Sequence, residues 1–433
     1  MSHDSALPVH DIVGIGFGPS NLALGIAIEE RNRSAAPGDE LDAVFLERQP
    51  RFGWHRGMLI DDATMQVSFL KDLVTMRQPA SDFSFLAHLQ AAGRLVDFIN
   101  HKTIFPTRIE FHGYLEWVAG RLDHLAVYDA RVEEVRPVLD GDGRIAALDV
   151  VAHHGDGATS VRRARNVVIA LGLQPRIPSG AALGERVWHN SRLVPGVAGW
   201  SGAAPERCVV VGAGQSAAET AEYLHRSFPE SEVHAVFARY GYSTSDDTSF
   251  ANRIFDPEAV DSYYVASDEV KTMLRGYHGN TNYSVVDPDL IEELYRRVYR
   301  EKIDGRQRLH MQNMTRVDEV RQDGDRVAVA VEHLPSGERR RIDADLLVYA
   351  TGYRPASPDQ LLGGLGEHTP DGGLAIGRDY RVATAEPSDC GIYVQGATER
   401  THGISSTLLS NTAVRAGEIL GSIASRVPAR AAA

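Results

Sequence analysis

Two short apolar runs in this chain are each followed at once by glycines and then by a helical stretch. They are "DIVGIGFGPSNLALGIAIEERN" from Asp11 and "CVVVGAGQSAAETAEYLHRSF" from Cys208. A buried strand that turns on glycine into a helix lets backbone N–H groups and the positive helix end approach a pyrophosphate. One such unit commits a chain to a strand–helix–strand core; two commit it to two of them. Gly14, Gly16 and Gly18 make the first turn, with Pro19 where a third glycine commonly stands. Proline is tolerated in the first turn of a helix. Gly212 and Gly214 make the second, and Ala217 at the third position is small enough for close helix–strand packing. For either unit alone, glycine serving only the tightness of the turn is the other reading.

The residues after the following strands separate the two units. "DAVFLE" ends in Glu47, a place where a carboxylate accepts hydrogen bonds from ribose hydroxyls. "EVHAVFA" is followed instead by Arg239, which could pair with a 2′-phosphate. A solvated acid and an exposed arginine at strand ends are the alternatives. Two such units in one chain point to two different dinucleotides, one FAD and the other NADPH, as in a flavoprotein that takes hydride from NADPH. Further Val/Ile/Leu runs, "NVVIALG", "DLLVYATG" and "GIYVQG", suit a parallel sheet covered on both faces. "VVIALGLQPRIP" and "LLVYATGYRP", the latter holding Thr351 and Gly352, read as crossovers joining two nucleotide domains. The expected fold class is therefore α/β with two Rossmann-like dinucleotide-binding domains. A discontinuous FAD domain is expected over 8–195 and 345–425, with an NADPH domain inserted at 196–344. Between Tyr240 and Tyr299 the pattern turns polar, aromatic and helical, so 240–300 is expected to be a helical insertion for substrate. Strands resume near Val317 and again at Leu346.

Composition narrows the partners. The chain has 433 residues and a formal net charge of −13, which argues against nonspecific nucleic-acid binding. No run approaches 18 apolar residues, so no membrane span is expected. The opening MSHDSALPVH lacks a basic start and an apolar core, so no signal peptide is expected there. The two cysteines, Cys208 and Cys390, lie far apart and form no CxxC, so neither a dithiol motif nor a zinc knuckle is available and no metal is expected. A cytoplasmic setting follows as an expectation, and the tail PARAAA is expected to fray.

Beyond the glycine turns, the order GIGFGPSNLAL, WHRGM, MQVSFLKDL, FPTRIEFHGYLEW, GAGQSAAE, DDTSFANRIFDP, NYSVVD, ATGY and THGISSTLLSN resembles the microbial N-hydroxylating flavin monooxygenases, from about residue 10 to 420. These act on the side-chain amine of ornithine or lysine in siderophore and related biosynthesis. GFGPSNLAL and GRLVDF look closer to the ornithine branch than to the lysine branch, which tends to carry GPFNL.

The resemblance implies roles residue by residue. Gly14, Gly16, Gly18, Pro19, Ser20 and Glu47 would hold FAD, with Trp54, His55, Met65 and Gln66 lining the flavin and Val132, Thr351, Gly352, Thr407 and Leu408 completing the cofactor surface. Gly212, Gly214, Gln215 and Ser216 would hold NADPH, Arg108 would lie near its nicotinamide half, and Arg239 is the candidate for its 2′-phosphate. Lys71, Asn252, Asn282 and Ser410 would bind the amino acid, Lys71 neutralising its carboxylate. Gln215, Ser216 and Asn282 form the implied catalytic set. A helix starting near Ser405 is expected to aim its N-terminus at the flavin, while His402 is expected to cap or pack. The implied reaction runs from NADPH reduction of FAD, through O2 activated as a flavin C4a-hydroperoxide and shielded by bound NADP+, to oxygen transfer onto the deprotonated amine. L-lysine and diamines remain alternative substrates, a non-enzymatic NADPH-binding redox sensor is the alternative class, and a homo-oligomer (tetramer or dimer) is expected. A Baeyer–Villiger enzyme would carry F-x-G-x-x-x-H-x-x-x-W and a disulfide reductase a CxxC-type pair; neither is present.

Overall fold

The computed structural model describes residues 7–281 and 284–426. Asn282 and the tail PARAAA lie outside them.

Each glycine turn sits in its own sheet. In the first, parallel pairing runs Ala126–Val127, Ala43–Leu46, Val9–Ile15 and Thr159–Ile169. The sheet then continues antiparallel through Ile145–His154 and Ala130–Leu139. Gly391–Val394 joins the C-terminal half of Thr159–Ile169 in parallel, Gly391 opposite Asn166. The second sheet is parallel throughout, in the order Leu309–Gln312, Glu232–Val236, Arg207–Val211, Leu346–Tyr349, Val187–His189. A meander of Thr315–Asp323, Arg326–His333 and Glu338–Ala344 covers one of its faces. Helices Gln215–Ser227 and Pro288–Asp304 cover the other, through Leu224 and Leu294.

Burial on both faces explains the uninterrupted apolar runs. In Arg207–Val211, Cys208 and Val210 face the helices while Val209 faces the meander, and all three are fully buried. The first sheet is sandwiched likewise. Ile12 packs with helices Pro19–Ser34, Arg108–Arg121 and Thr412–Ala424, whereas Val13 and Ile15 pack with Leu362, Leu374 and Ile392. Among the described residues, no helix is long and apolar enough to cross a membrane.

Two expectations change. A boundary at 345 would cut Leu346–Tyr349 from its neighbours, because this strand pairs with Arg207–Val211 on one side and Val187–His189 on the other. Both strands thus belong to the second sheet. The chain returns to the first only through the crossovers, which pair with each other: Tyr353 opposite Pro175, Arg354 opposite Gln174. Strands also resume after the insertion at Leu309–Gln312, before Val317. Among the described residues, the α-helices Pro257–Val265, Asp268–His278 and Pro288–Asp304 start within 240–300.

His402 packs, as expected. It is 1% exposed, its ring stacks on Tyr380 with centroids 4.1 Å apart, and Nε2 donates to the Arg378 carbonyl. Burial, and secondarily the Arg378 charge, hold its pKa down to about 4. The unfolded imidazole takes up its proton near pH 6.5, so the contribution is intact above that pH and lost as pH falls toward 4. His402→Phe keeps the stack without the proton site. Between pH 7 and pH 4, wild type is expected to lose about 3 kcal/mol more stability than this variant. Urea midpoints at the two pH values read the difference, and equal losses would rule His402 out as the source.

Candidate active site

At both glycine turns the helix begins bare. Gly18 caps Pro19–Ser34 and Gly214 caps Gln215–Ser227; neither offers a side-chain bond, and no acid stands in either first turn. Helices starting at Phe85, Arg108, Asp268 and Pro288 are instead closed by Ser84, Thr107, Ser267 and Asp287. Unclosed N–H groups at a helix start carry partial positive charge and suit phosphate oxygens. The glycines divide the labour within the first turn. A Cβ on Gly16, at φ +84°, would stand 2.4 Å from the Ala170 carbonyl, and one on Gly14 would enter the Phe45 ring. Gly18 meets nothing, so its space is free for a ligand. Gly212, at φ +147°, is pressed against the Ala350 carbonyl.

Glu47 is buried and accepts from Phe17 N at 2.8 Å and Gln49 N at 2.9 Å, so the acid after the second strand also fixes the first turn. Val132 packs in the core cluster that contains Leu46. Beneath the turn lies a chain of buried polar groups that sequence reading missed. Asn21 donates to Gly16 O at 2.7 Å, Gln395 Nε2 donates to Asn21 Oδ1 at 3.0 Å, and Arg415 donates to Gln395 Oε1 at 3.3 Å. Arg415 is 2% exposed and also reaches Ser406 O at 2.8 Å, Ser20 Oγ at 3.3 Å and Thr412 Oγ1 at 3.2 Å. All these acceptors are neutral, and no carboxylate among the described residues forms an ion pair with it. Nearby, both polar side-chain atoms of Asn411 and the Ser406 hydroxyl are buried without partners among the described residues. A buried cation on neutral acceptors, beside orphaned polar atoms and a bare helix start, fits a bound anionic dinucleotide.

The expected helix at Ser405 is two 3-10 turns, Ile404–Thr407 and Leu409–Asn411, broken at extended Leu408; the α-helix begins at Thr412. Thr407 therefore ends the first turn, Leu408 is the extended link, and Ser410 is buried in the second turn.

At the second turn a buried ion pair organises the predicted cofactor residues. Arg108 meets Glu219 at 2.8 and 3.1 Å and donates to Met58 O at 2.8 Å, the pair's side chains being 11% and 6% exposed. Gln215 donates to Glu219 Oε1 at 3.0 Å and accepts from Asp287 N at 2.8 Å, which leaves one amide N–H uncommitted. Glu219 was missed, although it stands in the GQSAAE run. Ser216 stands next in this helix, its carbonyl accepting from Thr220 Oγ1. Arg239 is exposed and donates to Ser284 O at 2.7 Å.

Trp54 and His55 touch edge to face at 4.7 Å, and His55 meets Tyr353 at 5.8 Å. The His55 side chain is exposed to solvent, yet surrounding protein lies close enough that desolvation, then the Arg108 charge, lower its pKa to about 4. Met65 is buried and bonds Pro106 O through its N–H, while Gln66 is exposed. Thr351 and Gly352 hold the crossover: Thr351 Oγ1 donates to Arg176 O, and Gly352 O accepts from Arg176 N and His189 Nε2.

Lys71 is half-buried, its Nζ lies 5.9 Å from the Phe255 ring centroid, and it makes no ion pair among the described residues. Phe255 and Asn252 share the turn Ala251–Phe255, which packs against Ile404–Thr407. The structure thus gathers Lys71, the Asn252 turn and the C-terminal turns. The Asn252 amide donates to Asp247 O at 2.7 Å. Buried Asp72, another missed residue, anchors the Lys71 loop by accepting from Val74 N, Thr75 N, Thr75 Oγ1 and Phe85 N.

The family profile of L-lysine 6-monooxygenase/L-ornithine 5-monooxygenase matches residues 8–355. The L-ornithine N(5)-monooxygenase of Pseudomonas aeruginosa is 40% identical over 96% of this chain and 94% of its own. The ornithine N-hydroxylase of Kutzneria sp. 744, solved with reduced FAD, NADP+ and L-ornithine, is 46% identical with a TM-score of 0.91, covering 97% of this chain and 100% of that one. The L-lysine 6-monooxygenase of Pseudomonas syringae is 33% identical with a TM-score of 0.84, covering 96% and 100%. Two glycine turns, each opening a bare helix, thus lie in a chain that belongs to the L-lysine 6-monooxygenase/L-ornithine 5-monooxygenase family.

Proposed function

We propose that this chain N-hydroxylates the side-chain amine of L-ornithine with FAD, NADPH and O2, yielding a hydroxylamine for siderophore or related hydroxamate assembly in the cytoplasm, as a homo-oligomer. When bound, FAD reduced by NADPH supplies the activated oxygen. The observation that carries the reading is Lys71: a half-buried ammonium with an aromatic neighbour, Phe255 of the Asn252 turn, and no ion-pair partner among the described residues. An amino-acid carboxylate meets that need, and a diamine lacks one. Asn252 and Ser410, together with Asn282, would take the α-ammonium and carboxylate by donating and accepting.

The reacting amine has an ordinary pKa of about 10.4 and must lose its proton to become a nucleophile. A carboxylate beside it would hold the proton on. The acid next to Lys71 does not compete, because Asp72 spends its oxygens on Val74 N, Thr75 N and Oγ1 in its own loop and on Phe85 N at a helix start. Gln215 and Ser216 are the residues proposed to hold the nicotinamide cofactor across the site and keep water out. The Arg108–Glu219 pair fixes Gln215 in place for that task. The higher identity to ornithine enzymes than to the lysine enzyme supports ornithine.

Hydroxylamine formation and NADPH oxidation, measured side by side with ornithine, lysine and putrescine, test the assignment. Ornithine is expected to give product in step with NADPH, and putrescine little. Hydroxylysine as the main product would overturn the substrate, and NADPH-dependent spectral change without any hydroxylamine would favour a redox sensor. Arg239→Ala is expected to narrow the ratio of kcat/KM for NADPH over NADH about tenfold, the worth of one charge-assisted contact. An unchanged ratio removes Arg239 from the 2′-phosphate site.

A further inference from the structure

The second sheet carries a group of ligating side chains that the chemistry above does not use. Glu232 and His234 alternate along Glu232–Val236 and so project from one face. His310 stands in register with His234 on the edge strand Leu309–Gln312. The two imidazoles stack, centroids 4.5 Å apart and planes 19° from parallel. Glu232 Oε2 lies 3.3 Å from His234 Nε2. One ligand atom from each of the three residues falls within 4.8 Å of the others. His310 Nε2 is buried and has no hydrogen-bond partner among the described residues.

We propose that Glu232, His234 and His310 bind one divalent ion of the zinc class, which staples the edge strand Leu309–Gln312 to Glu232–Val236. Two imidazole nitrogens and one carboxylate oxygen are the donor set of zinc and its borderline neighbours, and solvent can take the fourth position. Magnesium and calcium prefer all-oxygen sets. Arg207 holds Glu232 Oε2 through Nε at 2.8 Å and Nη2 at 2.7 Å, which leaves Oε1 for the metal but sets a positive charge beside it. The affinity should accordingly be micromolar rather than nanomolar. Coordination through His234 Nε2 requires the proton on Nδ1; the Gln312 amide nitrogen lies 3.1 Å from Nδ1, so metal binding must flip this carboxamide and release its oxygen from Arg340 Nη2. Linear spacing gave no sign of this site because its ligands come from two strands separated by the whole helical insertion.

Along the sheet, Glu232 is level with Arg207, at the opposite end of that strand from Gly212. His234 and His310 are level with Val209, so three to five residues of strand place the metal roughly 10–15 Å from the turn. Metal binding should therefore leave flavin reduction by NADPH unchanged, and the proposal stands or falls independently of the ornithine assignment.

The test uses the full-length, FAD-loaded protein, stripped by chelator and free of any polyhistidine tag, dialysed against graded zinc chloride. Zinc per flavin is read by atomic emission. Wild type is expected to take up one zinc per chain and to gain a few degrees in Tm on zinc addition. His310→Phe preserves the stack but is expected to lose at least about tenfold in zinc affinity along with the Tm gain, and Glu232→Gln to weaken binding similarly. Unaltered NADPH-driven flavin reduction shows that the variants are folded. No uptake by wild type below about 100 µM zinc, or equal uptake by both variants, would overturn the proposal.

Discussion

Lys71→Ala is expected to raise the KM for ornithine about 100-fold, because a hydrogen bond between charged groups in a partly buried site is worth about 1.5–3 kcal/mol. Flavin reduction by NADPH should stay within about twofold of wild type, since Lys71 touches none of the groups at the second glycine turn. The split is the informative part. Lys71 packs over Phe255, so a merely structural role would disturb the Asn252 turn and lower folding stability together with every kinetic step. Lys71→Arg, which keeps the charge at a different reach, should recover part of the KM and not all of it. Equal loss of reduction and of amino-acid affinity in Lys71→Ala would contradict a substrate role.

Arg415→Met is expected to cost at least about tenfold in FAD affinity, and to cost little stability once FAD is removed. The reason lies in its surroundings. The guanidinium is wholly enclosed, its acceptors are all neutral, and burial draws its pKa below the usual arginine range. Glu418 attracts the guanidinium only from beyond contact, and a buried charge without a contacting counter-charge is costly, so an apolar side chain of like volume in its place is often neutral or stabilising. If the diphosphate of bound FAD supplies the missing negative charge near Ser20, wild type gains more from FAD than the variant does. Thermal unfolding of both proteins, with and without FAD, reads that difference. A stability gap of the same size in both conditions would mean that Arg415 only holds Ser406 and Thr412 in place.

Much of the fold was legible because its signals are local. Continuous Val/Ile/Leu runs reported strands buried on two faces, and the glycine turns reported where each sheet meets a helix. What escaped depends on contacts between distant segments. Glu219 reads as an ordinary acid on a helix until Arg108 arrives from the first half of the chain and buries it. Asp72 looks like a surface acid beside a lysine, yet the chain curls round it so that Phe85 N donates to it. Leu346–Tyr349 read as the start of the returning domain, but parallel pairing with Arg207–Val211 holds it in the second sheet. Ser405 has the look of a helix cap, but extended Leu408 interrupts the turns, and regular helix waits for Thr412. Arg415 shows the same limit from the other side: an arginine in a helix is unremarkable until its acceptors are seen to be neutral.

Delivery of one oxygen atom from O2 to the side-chain nitrogen of ornithine can be followed by turnover of ornithine with NADPH under 18O2 and mass spectrometry of the product. A single labelled oxygen on the side-chain nitrogen is expected, formed in step with NADPH oxidation. NADPH consumed with only labelled hydrogen peroxide formed, or product oxygen that carries no label, would contradict that delivery.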